Sequence, residues 1–281
     1  MDSPLPELGD LMAKHRAENF PVAFRLLPRA TRGHLLAIYG FARLTDDVGD
    51  EAPGDRLALL DEIEREIDRV FAGEQPRHAL MRQLAPTVRA LALPEDPFRR
   101  LIAANRQDQR VSRYEHYEQL ADYCALSANP VGHLVLGVFG VATPERLAQS
   151  DAICTALQLV EHWQDVAEDL AAGRVYLPAE DLRRFGCSEV DLKASAASPA
   201  LRRTMAFEVQ RARGLLREGE PLAGSLRGAA RLAIAGFVAG GHAALDGIAA
   251  QDFDVLARTP RVRRWDWLRH FAALLWRARV R

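Results

Sequence analysis

The sequence predicts an all-α protein, and three features of its pattern support that prediction. Apolar residues recur at the three-and-four spacing of a helix along almost the whole chain. The alternation of Val, Ile and Thr with polar residues that is typical of strands is scarce. Glycine and proline separate the periodic stretches. Because no linker or low-complexity tract divides the chain, we expect residues 1–281 to form a single domain.

About ten helices are expected, and each is justified by an apolar face. The stretch 34–49 carries Leu35, Ile38 and Leu44 near one side and ends before a Pro-Gly pair. The glycine-rich stretch 236–247 indicates close helix packing rather than a phosphate-binding loop. Besides 34–49, helices are expected at 56–72, 78–91, 97–106, 114–127, 131–139, 145–172, 198–218, 226–250 and 265–279.

The composition is that of an ordinary globular protein, with 48% hydrophobic and 27% charged residues in a chain of 281. A formal net charge of -1 argues against a nucleic-acid partner. Three cysteines without CxxC spacing argue against a disulfide framework or a zinc site and suit a reducing compartment. No signal-peptide pattern and no long uninterrupted apolar run are present. We therefore expect a cytoplasmic protein, either free or peripheral at the inner membrane face.

Two aspartate clusters on predicted helices carry the clearest chemical signal. Asp46 and Asp50 stand four residues apart, and so do Asp165 and Asp169. Residues at that spacing share one face of a helix, where like charges repel unless a cation lies between them. Hard oxygen ligands of this kind hold Mg²⁺ when substrate phosphates complete the octahedron. The sequence therefore predicts a magnesium and diphosphate enzyme in which the two pairs converge.

Further polar residues extend both clusters. Tyr39 and Arg43 precede Asp46 on the same helical stripe, and Glu161 precedes Asp165 by four residues. Arg43 has a simpler interpretation, an ion pair with a neighbouring acid on a solvated face. The row of three acids at 161, 165 and 169, within an otherwise apolar helix, is harder to explain as packing.

Two motifs give these clusters a specific resemblance. The sequence at 39–50 reads YGFARLTDDVGD, and at 164–178 it reads QDVAEDLAAGRVYLP. Together they resemble the squalene and phytoene synthase family, and the similarity extends from about residue 17 to 267. The segments 18–23 and 127–132 most resemble the bacterial hydroxysqualene synthases of hopanoid biosynthesis.

The resemblance implies a single trans-isoprenyl diphosphate synthase domain, an isoprenoid-synthase-like helical bundle around a central cavity. It implies Mg²⁺ at the two aspartate pairs, a prenyl diphosphate substrate, Arg43 on the diphosphate, and reaction-chamber roles for Tyr39 and Tyr123. We assign catalytic roles to Tyr39, Arg43, Tyr123 and Glu161. The residues expected to bind substrate are Arg16, Asn19, Asn129, Gln164, Arg174 and Tyr176. Tyr123, Asn129 and Glu161 are the candidates for positioning a water molecule.

The chain departs from the family pattern at two places. Glu161 stands where relatives usually carry asparagine as a further metal ligand, which adds negative charge. Arg16 and Glu18 stand where many relatives place a histidine and a lysine on the diphosphate.

Three functions remain open at the level of sequence. The first is conversion of presqualene diphosphate and water to hydroxysqualene. The second is head-to-head condensation of two farnesyl or geranylgeranyl diphosphates to presqualene diphosphate, squalene or phytoene. The third is an inactive helical interaction protein of the same fold, which retention of all four aspartates disfavours.

The C-terminal stretch 258–281 combines eight arginines and one acid with three tryptophans. It is either an ordinary terminal helix that packs its tryptophans on the core or a basic aromatic helix that lies on an anionic bilayer. The pattern predicts no oligomeric state.

Overall fold

The structure, a computed structural model, describes Leu5 and residues 27–277. The described residues form helices joined by short turns and contain no β-strand, so the all-α prediction is confirmed. In chain order the helices are α1 (Arg29–Asp50), α2 (Arg56–Ala72), α3 (Ala79–Leu91), α4 (Asp96–Asp108), α5 (Tyr117–Ser127), α6 (Asn129–Val138), α7 (Pro144–Gln164), α8 (Val166–Ala171), α9 (Ala179–Arg184), α10 (Pro199–Gly219), α11 (Pro221–Ser225), α12 (Gly228–Ala250) and α13 (Arg264–Arg277), with a 3-10 turn at Asp191–Lys193.

The helix ends that were predicted accurately are those marked by local capping residues. The carboxylate of Asp55 accepts a hydrogen bond from the Ala58 N–H at 3.1 Å and starts α2. Gly73, with a φ of 76°, ends the same helix in the left-handed conformation. Ser198 accepts from the Leu201 N–H and starts α10.

The predicted helix at 114–127 begins later than expected, at Tyr117. Residues before it pair instead with a distant segment: the Val175 N–H donates to the Ser112 carbonyl at 2.9 Å, and the Ala179 N–H donates to the Tyr114 carbonyl at 2.9 Å. Backbone groups used in this pairing are not available to a helix. The sequence analysis also missed α9, α11 and the 3-10 turn, which are too short to show helical periodicity.

The described chain groups into two compact units, and the single-domain expectation stays a prediction. The first unit holds the residues up to Arg110 together with Pro130–Thr143. In it α1 packs against α2, α3 and α4. Phe41 and Phe98 meet edge to face, with ring centroids 5.1 Å apart, and both are fully buried.

The second unit holds Val111–Asn129 and the residues from Pro144 onward. In it α7 packs against α5, α10 and α12 and buries Trp163 completely. A Cβ added at Gly241 of α12 would lie 2.9 Å from Leu157 and 3.0 Å from Leu216, so this glycine permits close helix packing, as predicted. By length and composition α12 could cross a membrane, but 67% of its apolar window is buried inside the protein.

Candidate active site

The first aspartate pair lies at the C-terminal end of α1. Asp46 and Asp50 are exposed, one helical turn apart, while Asp47, Val48 and Gly49 between them are buried. The two carboxylates therefore share the solvent-facing side of the helix, as their spacing predicted. A helix C-terminus carries a partial negative charge, so this position adds to their mutual repulsion and favours a bound cation.

The surroundings of Asp46 also disfavour its negative charge. The Asn105 side-chain amide on α4 donates to Asp46 Oδ1 at 3.1 Å. Although Asp46 is exposed, the surrounding protein displaces water and raises the pKa of its carboxyl to about 7; the Asn105 hydrogen bond lowers the pKa and the Asp50 charge raises it. The surrounding protein therefore disfavours the ionised carboxylate of Asp46, and a bound cation would favour it.

Arg43 is the nearest candidate cation, and it is partly engaged. Its Nε lies 2.9 Å from Asp47 Oδ1, one turn along α1. This contact is the ion pair with a neighbouring acid that was the simpler interpretation of Arg43. The positive charge of Arg43 also lowers the pKa of Asp46. Tyr39, one turn earlier on α1, is half-buried.

Gly49 and Asn105, which the sequence analysis did not identify, support the first pair. A Cβ at Gly49 would collide with the Asn105 side chain, so only glycine allows α4 to approach here. The Gln109 amide also donates to the Gly49 carbonyl at 2.8 Å. No pattern within either helix predicts this contact, because it joins residues far apart in the sequence.

The second aspartate pair lies at an interruption between α7 and α8. The single helix predicted for 145–172 is wrong at Asp165, whose φ of -105° and ψ of 17° leave the helical region. Backbone hydrogen bonds from Asp165 to Glu161 and from Asp169 to Asp165 persist at 3.0 and 2.8 Å, so the one-turn spacing survives. Repulsion within the row of acids weakens the helix, and the new N-terminus places Asp169 in its favourable first turn.

Asp165 and Asp169 retain uncompensated negative charge. Burial, followed by the charges of Glu168 and Asp169, raises the pKa of Asp165 to about 6. Asp169 Oδ2 is buried without a hydrogen-bond partner. His162 Nδ1 lies 3.7 Å from that oxygen, beyond hydrogen-bonding distance, and burial lowers the pKa of His162 so that the ring is neutral.

These carboxylates fit a hard divalent cation. Residues 27–277 contain no group of three or more His, Cys, Asp or Glu side chains arranged to hold a metal. Each unit holds one pair of carboxylates one helical turn apart, and one oxygen of the second pair lacks a partner. Oxygen donors that leave coordination positions for water and phosphate suit Mg²⁺.

An aromatic cluster lies beside the second pair. Tyr176 stacks on His162 with ring centroids 3.5 Å apart, and Tyr123 lies 5.9 Å from Tyr176 and 6.3 Å from His162. Tyr114 lies 5.9 Å from Tyr176. The structure thus brings together Tyr123 and Tyr176, both predicted, with Tyr114 and His162, which were not. His162 lies seven residues before Asp169, a helical spacing that could have identified it.

A small concavity in the second unit is lined by His162, Asp169, Arg174 and Tyr176, among others. It places the half-buried Arg174 beside the second pair. Glu161 is exposed at the last turn of α7.

Two other predicted site residues make hydrogen bonds within the second unit. The Gln164 amide donates to the Pro260 carbonyl at 2.9 Å, which ties two segments of the second unit together. The Asn129 side-chain oxygen accepts a buried hydrogen bond from Thr155 Oγ1 at 3.0 Å. Arg16 and Asn19 lie outside the described residues.

Comparison with known proteins relates the chain to characterised enzymes. Residues 13–266 match the family model described as squalene/phytoene synthase. The chain is 38% identical to hydroxysqualene synthase of Rhodopseudomonas palustris over 221 residues, which is 76% of this chain and 73% of the relative. It is 37% identical to 15-cis-phytoene synthase of Synechocystis sp. over 218 residues, 73% of this chain and 64% of that relative.

Solved structures with the same fold include squalene synthase HpnC from Alicyclobacillus acidocaldarius. Its TM-score is 0.81 at 44% identity, covering 87% of this chain and 95% of that one. A dehydrosqualene synthase gives a TM-score of 0.86 at 23% identity, which concerns the fold alone. From the family match, the relatives and this fold, we conclude that the chain belongs to the squalene/phytoene synthase family.

Proposed function

We propose that the protein is a Mg²⁺-dependent enzyme of squalene and hopanoid biosynthesis that converts presqualene diphosphate and water to hydroxysqualene and diphosphate. Similarity to hydroxysqualene synthases supports the choice of substrate. The observation that carries the metal-dependent chemistry is the buried, unpartnered carboxylate oxygen of Asp169, one turn from Asp165. A buried anionic oxygen without a partner is costly unless a ligand satisfies it.

The first step is loss of the leaving group. The substrate carbon–oxygen bond breaks, and its electron pair departs with diphosphate. Asp46, Asp50, Asp165 and Asp169 would hold Mg²⁺, which when bound neutralises the charge that develops on the diphosphate oxygens. Arg43 and Arg174 would donate charge-assisted hydrogen bonds to the same oxygens, with Arg16 as a further candidate.

The carbocation left behind must be kept from water until it has rearranged. Aromatic faces stabilise positive charge, and buried rings exclude water. Tyr123, Tyr176 and Tyr114 are buried together beside the second aspartate pair. We therefore assign this cluster, with Tyr39, to containment of the cation.

Hydroxysqualene forms when the oxygen of one water molecule bonds to the cation and releases a proton. Of the three candidates for positioning that water, Asn129 already uses its side-chain oxygen to accept from Thr155. Glu161 is exposed and can accept a hydrogen bond from water, so we assign it this role with Tyr123 as the alternative.

The second candidate function is head-to-head condensation of two prenyl diphosphates. The 37% identity to a 15-cis-phytoene synthase favours it specifically. Both reactions begin with metal-assisted loss of diphosphate, so the aspartate pairs do not distinguish them.

The deciding experiment supplies purified protein with presqualene diphosphate, farnesyl diphosphate or geranylgeranyl diphosphate separately, with Mg²⁺ or with EDTA. We expect hydroxysqualene from presqualene diphosphate alone, and none with EDTA. In ¹⁸O-labelled water the product hydroxyl should carry the label. Phytoene from geranylgeranyl diphosphate, or presqualene diphosphate or squalene from farnesyl diphosphate, would establish the second function instead.

A further inference from the structure

Exposed large apolar side chains are concentrated in one part of the described chain. Six such residues are exposed in the described structure, and five of them lie between positions 232 and 276. Their exposed fractions are 82% for Trp265, 68% for Trp276, 46% for Leu268, 45% for Val262 and 39% for Leu232. Scattered exposed residues need no explanation, but a cluster that contains two tryptophans indicates an interaction surface.

Helix α13 has two apolar faces, and only one of them is covered. The inner face packs on α12: the Trp267 indole N–H donates to the Gly236 carbonyl at 3.1 Å, Trp267 stacks on Phe271, and Leu274 is buried. The outer face points away from this contact. We call it the tryptophan face; it consists of Trp265, Leu268, Ala272 and Trp276, all exposed and spaced by three or four residues.

Positive charge lies at the N-terminal end of the tryptophan face, whereas Arg269 and Arg277 farther along form ion pairs with Asp246 and Glu220. Arg261, Arg263 and Arg264 precede the face, are exposed, and have no ion pair within the described residues. We call these three residues the arginine rim. From 258 to 277 the chain carries six arginines against one acid, Asp266.

The charge of this surface favours an anionic lipid surface over a second copy of the chain as its partner. A second copy docking by the same face in parallel would bring the two arginine rims together, and like charges would oppose the contact; docked antiparallel, each rim would meet the C-terminal half of the face, which carries no acid. An anionic lipid surface offers both interactions the segment needs: negative headgroups for the arginines and an apolar boundary for the tryptophans. The described part of α13, 14 residues and about 21 Å long, is shorter than a hydrocarbon core of about 30 Å.

We propose that the tryptophan face and the arginine rim form a docking surface for an anionic lipid bilayer, with α13 lying in the plane of the interface. Binding of the protein to vesicles can be measured without its substrate, so this surface does not depend on which reaction the protein catalyses. An apolar prenyl substrate partitions into bilayers, so docking here would bring the enzyme to its substrate.

The test uses the full-length protein and vesicles of phosphatidylcholine with or without phosphatidylglycerol. We expect the protein to sediment with the anionic vesicles, less with the neutral ones, and less at high salt because exposed charges are screened. Trp265→Ser with Trp276→Ser should weaken partitioning at least about tenfold. Arg261→Gln, Arg263→Gln and Arg264→Gln together should remove the preference for anionic vesicles, about fivefold for each arginine.

Val190→Ser is the matched control, because Val190 is 77% exposed and lies outside the surface. It should leave vesicle binding unchanged, and circular dichroism should show native helicity for every variant. Equal sedimentation of the wild type and the double tryptophan variant would overturn the proposal, as would absence of binding to anionic vesicles. A dimer in light scattering that the tryptophan substitutions dissociate would assign the face to a second copy and equally overturn it.

Discussion

His162 and Tyr176 stack with their ring centroids 3.5 Å apart and their planes inclined by 13°. The stack joins the last turn of α7 to the segment that follows the second aspartate pair. Asp169 lies between these two rings in sequence, and its unpartnered oxygen is 3.7 Å from His162. A buried, neutral imidazole therefore lies beside this carboxylate.

Replacing His162 should separate its packing role from its polar role. His162→Ala removes the ring and should lower the free energy of unfolding by about 2–4 kcal/mol. His162→Phe keeps the stack and should cost less than about 1.5 kcal/mol, but it removes the nitrogen beside Asp169. Mutation of a group that orients a metal ligand typically lowers metal affinity or activity about 10- to 100-fold. We therefore expect His162→Phe to raise the Mg²⁺ concentration needed for half-maximal activity by about that factor. Chemical denaturation and Mg²⁺ titration measure the two effects, and an unchanged Mg²⁺ requirement would limit His162 to packing.

Removing one charge from an aspartate pair should abolish most turnover without unfolding the protein. Asp46→Asn and Asp165→Asn should each lower kcat about 100-fold or more, because the leaving group loses electrostatic stabilisation. Glu168→Gln is the control: Glu168 is exposed, lies next to Asp169, and belongs to neither pair. Full activity of Asp165→Asn at saturating Mg²⁺, with native circular dichroism, would contradict the metal assignment.

Gly49 should tolerate no larger side chain. A Cβ there collides with Asn105, so Gly49→Ala should displace the amide that bonds Asp46, cost about 1–3 kcal/mol of stability and lower activity. Gly33→Ala on the same helix is the matched control, since nothing lies within 4 Å of its added Cβ. It should stabilise the protein by about 0.5–1 kcal/mol, the usual preference for alanine inside a helix. Denaturant titration and turnover measurements on Gly49→Ala and Gly33→Ala test this prediction. If the two variants were equally stable, the Asn105 side chain would have moved aside without cost.

Glu208 should make stability depend on pH. It is fully buried, and it shares the Arg211 guanidinium with Asp181, with contacts of 2.7 to 2.8 Å. Burial raises the pKa of Glu208 from 4.5 to about 8; Arg211 lowers the pKa and Asp181 raises it. Between about pH 4.5 and 8 the folded protein therefore holds a proton that the unfolded chain releases.

The unfolding free energy should accordingly fall as pH rises through that window and level off above it. Glu208→Gln imitates the protonated side chain, so its stability should match the wild type near pH 5 and exceed it near pH 8.5. Glu218→Gln, an exposed position on the same helix, should leave the wild-type profile unchanged. Thermal unfolding across this pH range measures the difference, and parallel profiles for Glu208→Gln and wild type would contradict the assignment.

Local sequence was sufficient for the main helices and for the family. The bounds of α2 were predicted to the residue, because an aspartate cap and a left-handed glycine mark its ends within the chain itself. The one-turn spacing of Asp46 and Asp50 is likewise a property of a single helix. The motifs around both pairs were enough to identify the family.

Tertiary structure decided where hydrogen bonds and rings from distant segments meet. The break at Asp165, the amide of Asn105 on Asp46 and the stack of His162 on Tyr176 were not predicted, because each depends on packing or on charges accumulated along several turns. Tyr114 lies outside the observed helix for the same reason, since its carbonyl accepts from the Ala179 N–H. Helical periodicity and capping depend on residues a few positions apart, so they can be predicted from sequence. Side-chain contacts between residues tens of positions apart form only when the helices have packed.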